Sequence, residues 1–131
     1  MFKSLTALAA SLALVLAAQL SIAHHSHAMF DLSRRVTVTG TVQKFEFTNP
    51  HSWLRVNDQA DGALWSFETL SPSQLVRMGV KVSSIASGSK VTVTAAPLRD
   101  GRNGGQIVTV TRADGTVLSL AGEGGGPGPT Q

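Results

Sequence analysis

Val36-Thr37-Val38-Thr39-Gly40-Thr41-Val42-Gln43-Lys44-Phe45-Glu46-Phe47 decides the fold. Val36, Val38 and Val42 share one parity, with Gly40 among them, and the apolar parity then switches to Phe45 and Phe47. A period-2 pattern that changes phase requires a bulge, and a glycine inside a strand permits a sharp bend. The composition, rich in Val, Thr and Phe, is that of a strand. Reading Arg34 to Phe47 as one long, bent first strand places the chain among small closed barrels, in which one strand serves both halves of the sheet.

The segments downstream fit that reading. Asn49-Pro50 breaks the strand. His51 to Asn57 resumes it, with Leu54 and Val56 on one face and Trp53, Arg55 and Asn57 on the other. After an Asp61-Gly62 turn, Ala63 to Leu70 carries Trp65 and Phe67 at alternate positions, which completes a hairpin. The period then changes: Ser71-Pro72 with Gln74 and a following Gly79 spells a capped short helix over Pro72 to Met78, with Leu75 and Met78 inward. Val80 to Ser87 is a connector with Val82 and Ile85 as plugs. Lys90 to Ala95 alternates again, Arg99 to Gly105 is a glycine-rich hairpin tip, and Gln106 to Arg112 follows with Val108 and Val110 inward. Asp114-Gly115 turns into a short final strand, Thr116 to Leu120. The order strand-strand-strand-helix-strand-strand predicts an all-β fold with one short helix, a small OB-fold-like barrel. A small sandwich or an open sheet carrying one helix is the alternative.

Upstream of the barrel, Lys3 precedes an apolar run from Leu5 to Leu20, and Ser21-Ile22-Ala23 places small residues where a signal peptidase reads them. The run approaches bilayer-spanning length, so a membrane anchor is the competing reading. Ser4, Thr6, Ser11 and Gln19 dilute it and no basic stop-transfer cluster follows, which favours a cleaved signal peptide over residues 1–23. The expected organisation is that signal, a histidine-containing segment 24–33, a barrel over 34–120, and a disordered Gly/Pro tail over 121–131. The expected location is the periplasm or the medium, with no stable membrane insertion once the signal is removed.

Charge and cysteine content exclude several functions. The 131-residue chain carries a formal net charge of +3, of which Lys3 supplies one. Arg34-Arg35 is the only adjacent basic pair, so neither a basic patch nor a nucleic-acid partner is expected. The chain has no cysteine, so in an oxidising compartment no disulfide supports the fold and no thiolate serves as nucleophile or ligand. No Gly-x-Ser-x-Gly elbow occurs, and Ser26 and Ser52 adjoin histidines only in sequence, where strand neighbours face opposite sides. Catalysis is not expected.

The chemistry that remains is imidazole. Three of the four histidines, His24, His25 and His27, lie just past the expected cleavage site, and the fourth, His51, follows the Asn49-Pro50 turn. Cleavage after Ala23 would make His24 the first residue, joining a free amine to its own ring. That pair chelates copper, which tolerates tetragonal nitrogen geometry and heads the affinity order for such ligands; zinc is the second possibility. His51 is the natural further ligand, with His25 or His27 as substitutes and Met29 as a soft sulfur donor for Cu(I). The carboxylates Asp31, Glu46 and Glu68 are candidates to orient a histidine or join the metal's surroundings. Four ligands at closed zinc spacing are absent, and Ser26 occupies the third position where an amine-x-His chelate needs histidine. Cleavage after Ala28 would discard all three clustered histidines.

Two functions follow. One is an exported domain that binds a transition metal, for storage or delivery to a periplasmic protein partner. The other is a non-metal module that takes a small ligand, glycan or protein at the barrel mouth through Asn49, His51 and Trp53. A metal-dependent oxidase using the amine–imidazole chelate is a third reading, without a recognisable substrate surface.

Together His24-His25-Ser26, Met29-Phe30-Asp31, Gly40-Thr41-Val42, Asn49-Pro50-His51-Ser52-Trp53, Trp65-Ser66-Phe67-Glu68 and Arg99-Asp100-Gly101 resemble an uncharacterised family of small exported bacterial proteins. The resemblance implies a secreted small β domain and no established activity.

Overall fold

The first strand, β1 (Val36–Glu46), does serve two partners. In the computed structural model, which describes residues 28–122, its first half pairs antiparallel with β4 (Lys90–Pro97) and its second with β2 (Trp53–Asp58). The handover falls at Gly40, which is paired on both sides, to Asp58 and to Val91. A Cβ on Gly40 would lie 2.0 Å from the Asn57 carbonyl oxygen, so only glycine allows the strands this close. The register then slips between Val42 and Lys44, where the apolar parity changes. The extra residue turns Phe45 to the same interior as Val38 and Val42, all three being buried.

Closure follows from the remaining strands. β2 pairs with β3 (Leu64–Glu68), β4 with β5 (Gly104–Arg112), and β3 meets β5 in parallel through Ser66–Gly104, Phe67–Gly105 and Glu68–Gln106. The strand circuit β1-β2-β3-β5-β4-β1 is therefore a closed five-stranded barrel of OB-like topology, and β6 (Val117–Ser119) extends the sheet from β5. Gly104 and Gly105, expected at a hairpin tip, instead open β5. A Cβ on Gly105 would meet the Ala96 carbonyl at 2.3 Å and one on Gly104 the Ser66 carbonyl at 2.7 Å. Missing side chains let three strands converge at the seam.

Helix α1 (Pro72–Arg77) starts on a complete capping box: Gln74 N–H donates to Ser71 Oγ, and Gln74 Oε1 accepts from Ser71 N–H. Leu75, Val80 and Ile85 join the core with Leu54, Val56, Phe67, Val93 and Ile107. Three inward assignments need correction. Met78 is the cap rather than a core residue and is 51% exposed, because the helix ends one residue earlier than expected. Val82 begins a 3₁₀ turn and is also exposed, leaving Ile85 as the plug. On β5 the register slips opposite Thr94/Ala95, so Ile107 and Val110 face inward and Val108 is the inserted residue.

The segment before β1 is part of the same body. Phe30 is buried and bridges Leu98, while Asp31 N–H donates to the Pro97 carbonyl and Arg99 N–H to the Met29 carbonyl. Residues 29–31 thus run antiparallel to 97–99. No helix among the described residues is long and apolar enough to cross a membrane.

Candidate functional site

Barrel geometry puts His51, Trp53 and Glu68 side by side on the outer face of the β2–β3 hairpin. Trp53 and Glu68 are cross-strand partners, so their side chains leave the sheet on the same face. His51 lies two residues before Trp53 and therefore shares its parity. Its loop contains a cis Asn49–Pro50 peptide, and Thr48 Oγ1 donates to the His51 carbonyl at 2.6 Å, which holds the loop in place. Ser52 N–H donates to the Leu70 carbonyl and Thr69 N–H to that of Ser52, extending the β2–β3 pairing back to Ser52, the residue next to His51.

The result is a short contact, His51 Nδ1 to Glu68 Oε1 at 2.7 Å. The Glu68 side chain is only 8% exposed and that of His51 38%. A carboxylate accepts hydrogen bonds and cannot donate them, so the proton of this pair sits on Nδ1. That fixes the ring's orientation and tautomer, and it leaves Nε2 as the nitrogen with a lone pair in the neutral ring. A histidine that ligates a metal is usually held through its other nitrogen in this manner. Of the three carboxylates proposed to orient a histidine, Glu68 is the one that touches His51.

Asp31 and Glu46 are committed elsewhere. Asp31 accepts from the Ser33 hydroxyl at 2.6 Å and the Ser33 amide at 3.2 Å, and the hydroxyl is the main cause holding its carboxyl below the ordinary range. Glu46 lies between Lys44, at 2.6 Å, and Arg55, at 2.7 Å. The Lys44 hydrogen bond is the largest influence lowering its pKa. Asn49 is exposed in the loop before His51. Ser52 is fully buried, its Oγ has no hydrogen-bond partner among the described residues, and its parity is opposite to that of His51. The Ser52–His51 neighbours form no catalytic pair.

His24, His25 and His27 lie outside the described residues, as do the whole of the expected signal peptide and most of the expected tail. Among the described residues no group of three or more His, Asp or Glu side chains could hold a metal ion. The described chain nevertheless starts beside the β2–β3 face. Met29 and Phe30 form one wall of a cavity of about 240 Å³ whose other walls are Trp53 and Ser66 from the hairpin and Leu98, Arg102, Asn103 and Gly105 from the β4–β5 turn. Of the ligand residues read at the barrel mouth, Trp53 lines this cavity, and Asn49 and His51 are not among its walls. Sequence reasoning did not find the cavity, because its walls come from segments distant in sequence. The one available signal was the pair Gly104-Gly105, residues that mark a close backbone approach.

A family model matches residues 11–109, and the chain belongs to that family, DUF6152, a family of unknown function. The match includes residues 24–27 as well as His51. No curated protein and no solved structure matches the chain.

Proposed function

We propose that this member of the family binds a transition metal, copper in preference to zinc, through His51 and the histidines that precede Met29. The observation that carries the reading is the His51 Nδ1–Glu68 Oε1 contact, which presents Nε2 in a fixed direction from a half-exposed ring. A single imidazole does not make a metal site, so the remaining nitrogens must come from elsewhere, and His24, His25 and His27 are the remaining histidines of the chain.

Reach supports this. His24 lies four residue steps before Ala28, and an extended chain covers about 3.3–3.6 Å per step, so His24 can sit up to about 14 Å from where the described chain begins. That beginning lines the same cavity as Trp53, the neighbour of His51 on the same face. If export removes residues 1–23, the His24 amine adds a further nitrogen, and a set of amine and imidazole ligands favours Cu(II). The role would be binding, buffering or delivery to a protein partner in the periplasm, with no turnover.

Native mass spectrometry of the protein recovered from a bacterial periplasm tests the proposal. The expected species starts at His24 and carries a copper increment that a chelator removes, and the His51→Ala protein carries less or none. A species starting at Met29, or one starting at His24 that refuses added copper, overturns it.

A further inference from the structure

The cavity beside the N-terminal segment has its own chemistry, independent of any metal. We infer that it is a binding site for one pyranose ring of a saccharide, stacked on Trp53 and hydrogen-bonded by Ser66 and Asn103. Its volume, about 240 Å³, leaves room for a single small ring.

The walls divide into an apolar and a polar part. Trp53 supplies a flat apolar surface and Leu98 an aliphatic one, and Phe30, 2% exposed, backs the wall from beneath. Gly105 adds bare backbone and must stay glycine because of its close pass to Ala96. On the polar side, the Ser66 hydroxyl and the Asn103 amide make no side-chain hydrogen bond within the described residues, so both are available to a guest. Each offers donor and acceptor together, which suits hydroxyl groups.

Alternative guests fit less well. Arg102 lines the cavity, but Asp100 Oδ2 lies 2.7 Å from its Nε, so no unbalanced positive charge is on offer to an anion. The exposed Arg102–Asp100 pair can instead bond to neighbouring hydroxyls. An extended peptide would need an open strand edge, and here β3 and β5 are paired to each other. A ligand with one apolar face and a rim of neutral hydroxyls matches both halves of the wall.

The test is an amide and indole NMR titration of the chain from residue 24, in a buffer with chelator so that metal plays no part. The probes are methyl glycosides of glucose, galactose and N-acetylglucosamine, with benzoate and indole as controls. At least one glycoside should shift the Trp53 indole, Asn103 and Gly105 signals saturably, with Kd of about 1–10 mM. Asn103→Ala should weaken it about 10-fold, and Ser66→Leu, which fills the cavity, should abolish it. The spectra of both variants report whether the barrel is intact. Absence of any saturable shift, shifts away from the cavity, unchanged affinity in a folded Asn103→Ala protein, or a response to the controls alone each overturns the inference.

Discussion

Replacing Glu68 with glutamine isolates what the carboxylate does for His51. The side chain keeps its size and its place at the β3–β5 seam, and one oxygen becomes an amide nitrogen. At 2.7 Å the parent contact has the length of a charge-assisted hydrogen bond, about twice as strong as a neutral one. Because Glu68 is 8% exposed at its side chain, water competes little for it. Glutamine can still accept from Nδ1, but through a neutral bond that holds the ring less firmly in the direction a metal would need. Losing such a support costs about 10–100-fold in metal affinity, or about 1.4–2.7 kcal/mol. Competition titration of Cu(II) against a chelating indicator measures this, using the parent, Glu68→Gln, His51→Ala and the double variant. Glu68 acts through His51, so the double variant should bind no more weakly than His51→Ala. Additive losses would refute that chain of action, and parent-like binding by either single variant would refute the site.

Three further outcomes follow from the fold. Gly40→Ala forces a methyl to within 2.0 Å of a backbone oxygen and should cost about 1–3 kcal/mol, lowering the melting temperature by about 4–8 °C per kcal/mol; an unchanged circular-dichroism melt would contradict the close approach. Ser71→Ala removes the capping box of α1 and should cost about 1 kcal/mol, read in the same melt. Asp100 and Asp114 are held below their ordinary value of about 3.8, chiefly by the Arg102 and Thr116 backbone amides respectively. A depressed folded pKa stabilises above the unfolded value and is lost as pH falls through the folded one, so both turns should loosen below about pH 3.8, and an NMR pH titration should show both carboxyls titrating below that value.

How much was legible depended on whether the signal was local. The phase switch from Val42 to Phe45 is written in consecutive residues, and it gave the bulge. Ser71, Pro72 and Gln74 likewise announced the helix start. Val108 was misplaced because its bulge is imposed by the register against β4, and a run of Ile107, Val108, Thr109 and Val110 looks the same whichever residue is inserted. Met78 reads as inward by helical spacing alone, yet the helix stops before it at a cap followed by Gly79 at φ 78°. For the site, histidine and tryptophan types could be singled out from sequence. Which of Asp31, Glu46 and Glu68 would meet His51 could not, because that depends on the β2–β3 register, and the two other carboxylates find Ser33, Lys44 and Arg55 nearer to hand.

Among the five seams that close the barrel, β3–β5 has the fewest paired residues, three against five to seven in the others. It is parallel and contains two glycines, both of which weaken a ladder. Glu68 belongs to it, and so do the cavity residues Ser66 and Gly105. The barrel should therefore breathe first along this line, and its amides should exchange with deuterium ahead of those in β1 and β4. Anything that settles on His51 or in the cavity would splint the seam, so slowed exchange at residues 66–68 and 104–106 would serve as a built-in reporter of occupancy for a ligand whose identity is not needed in advance.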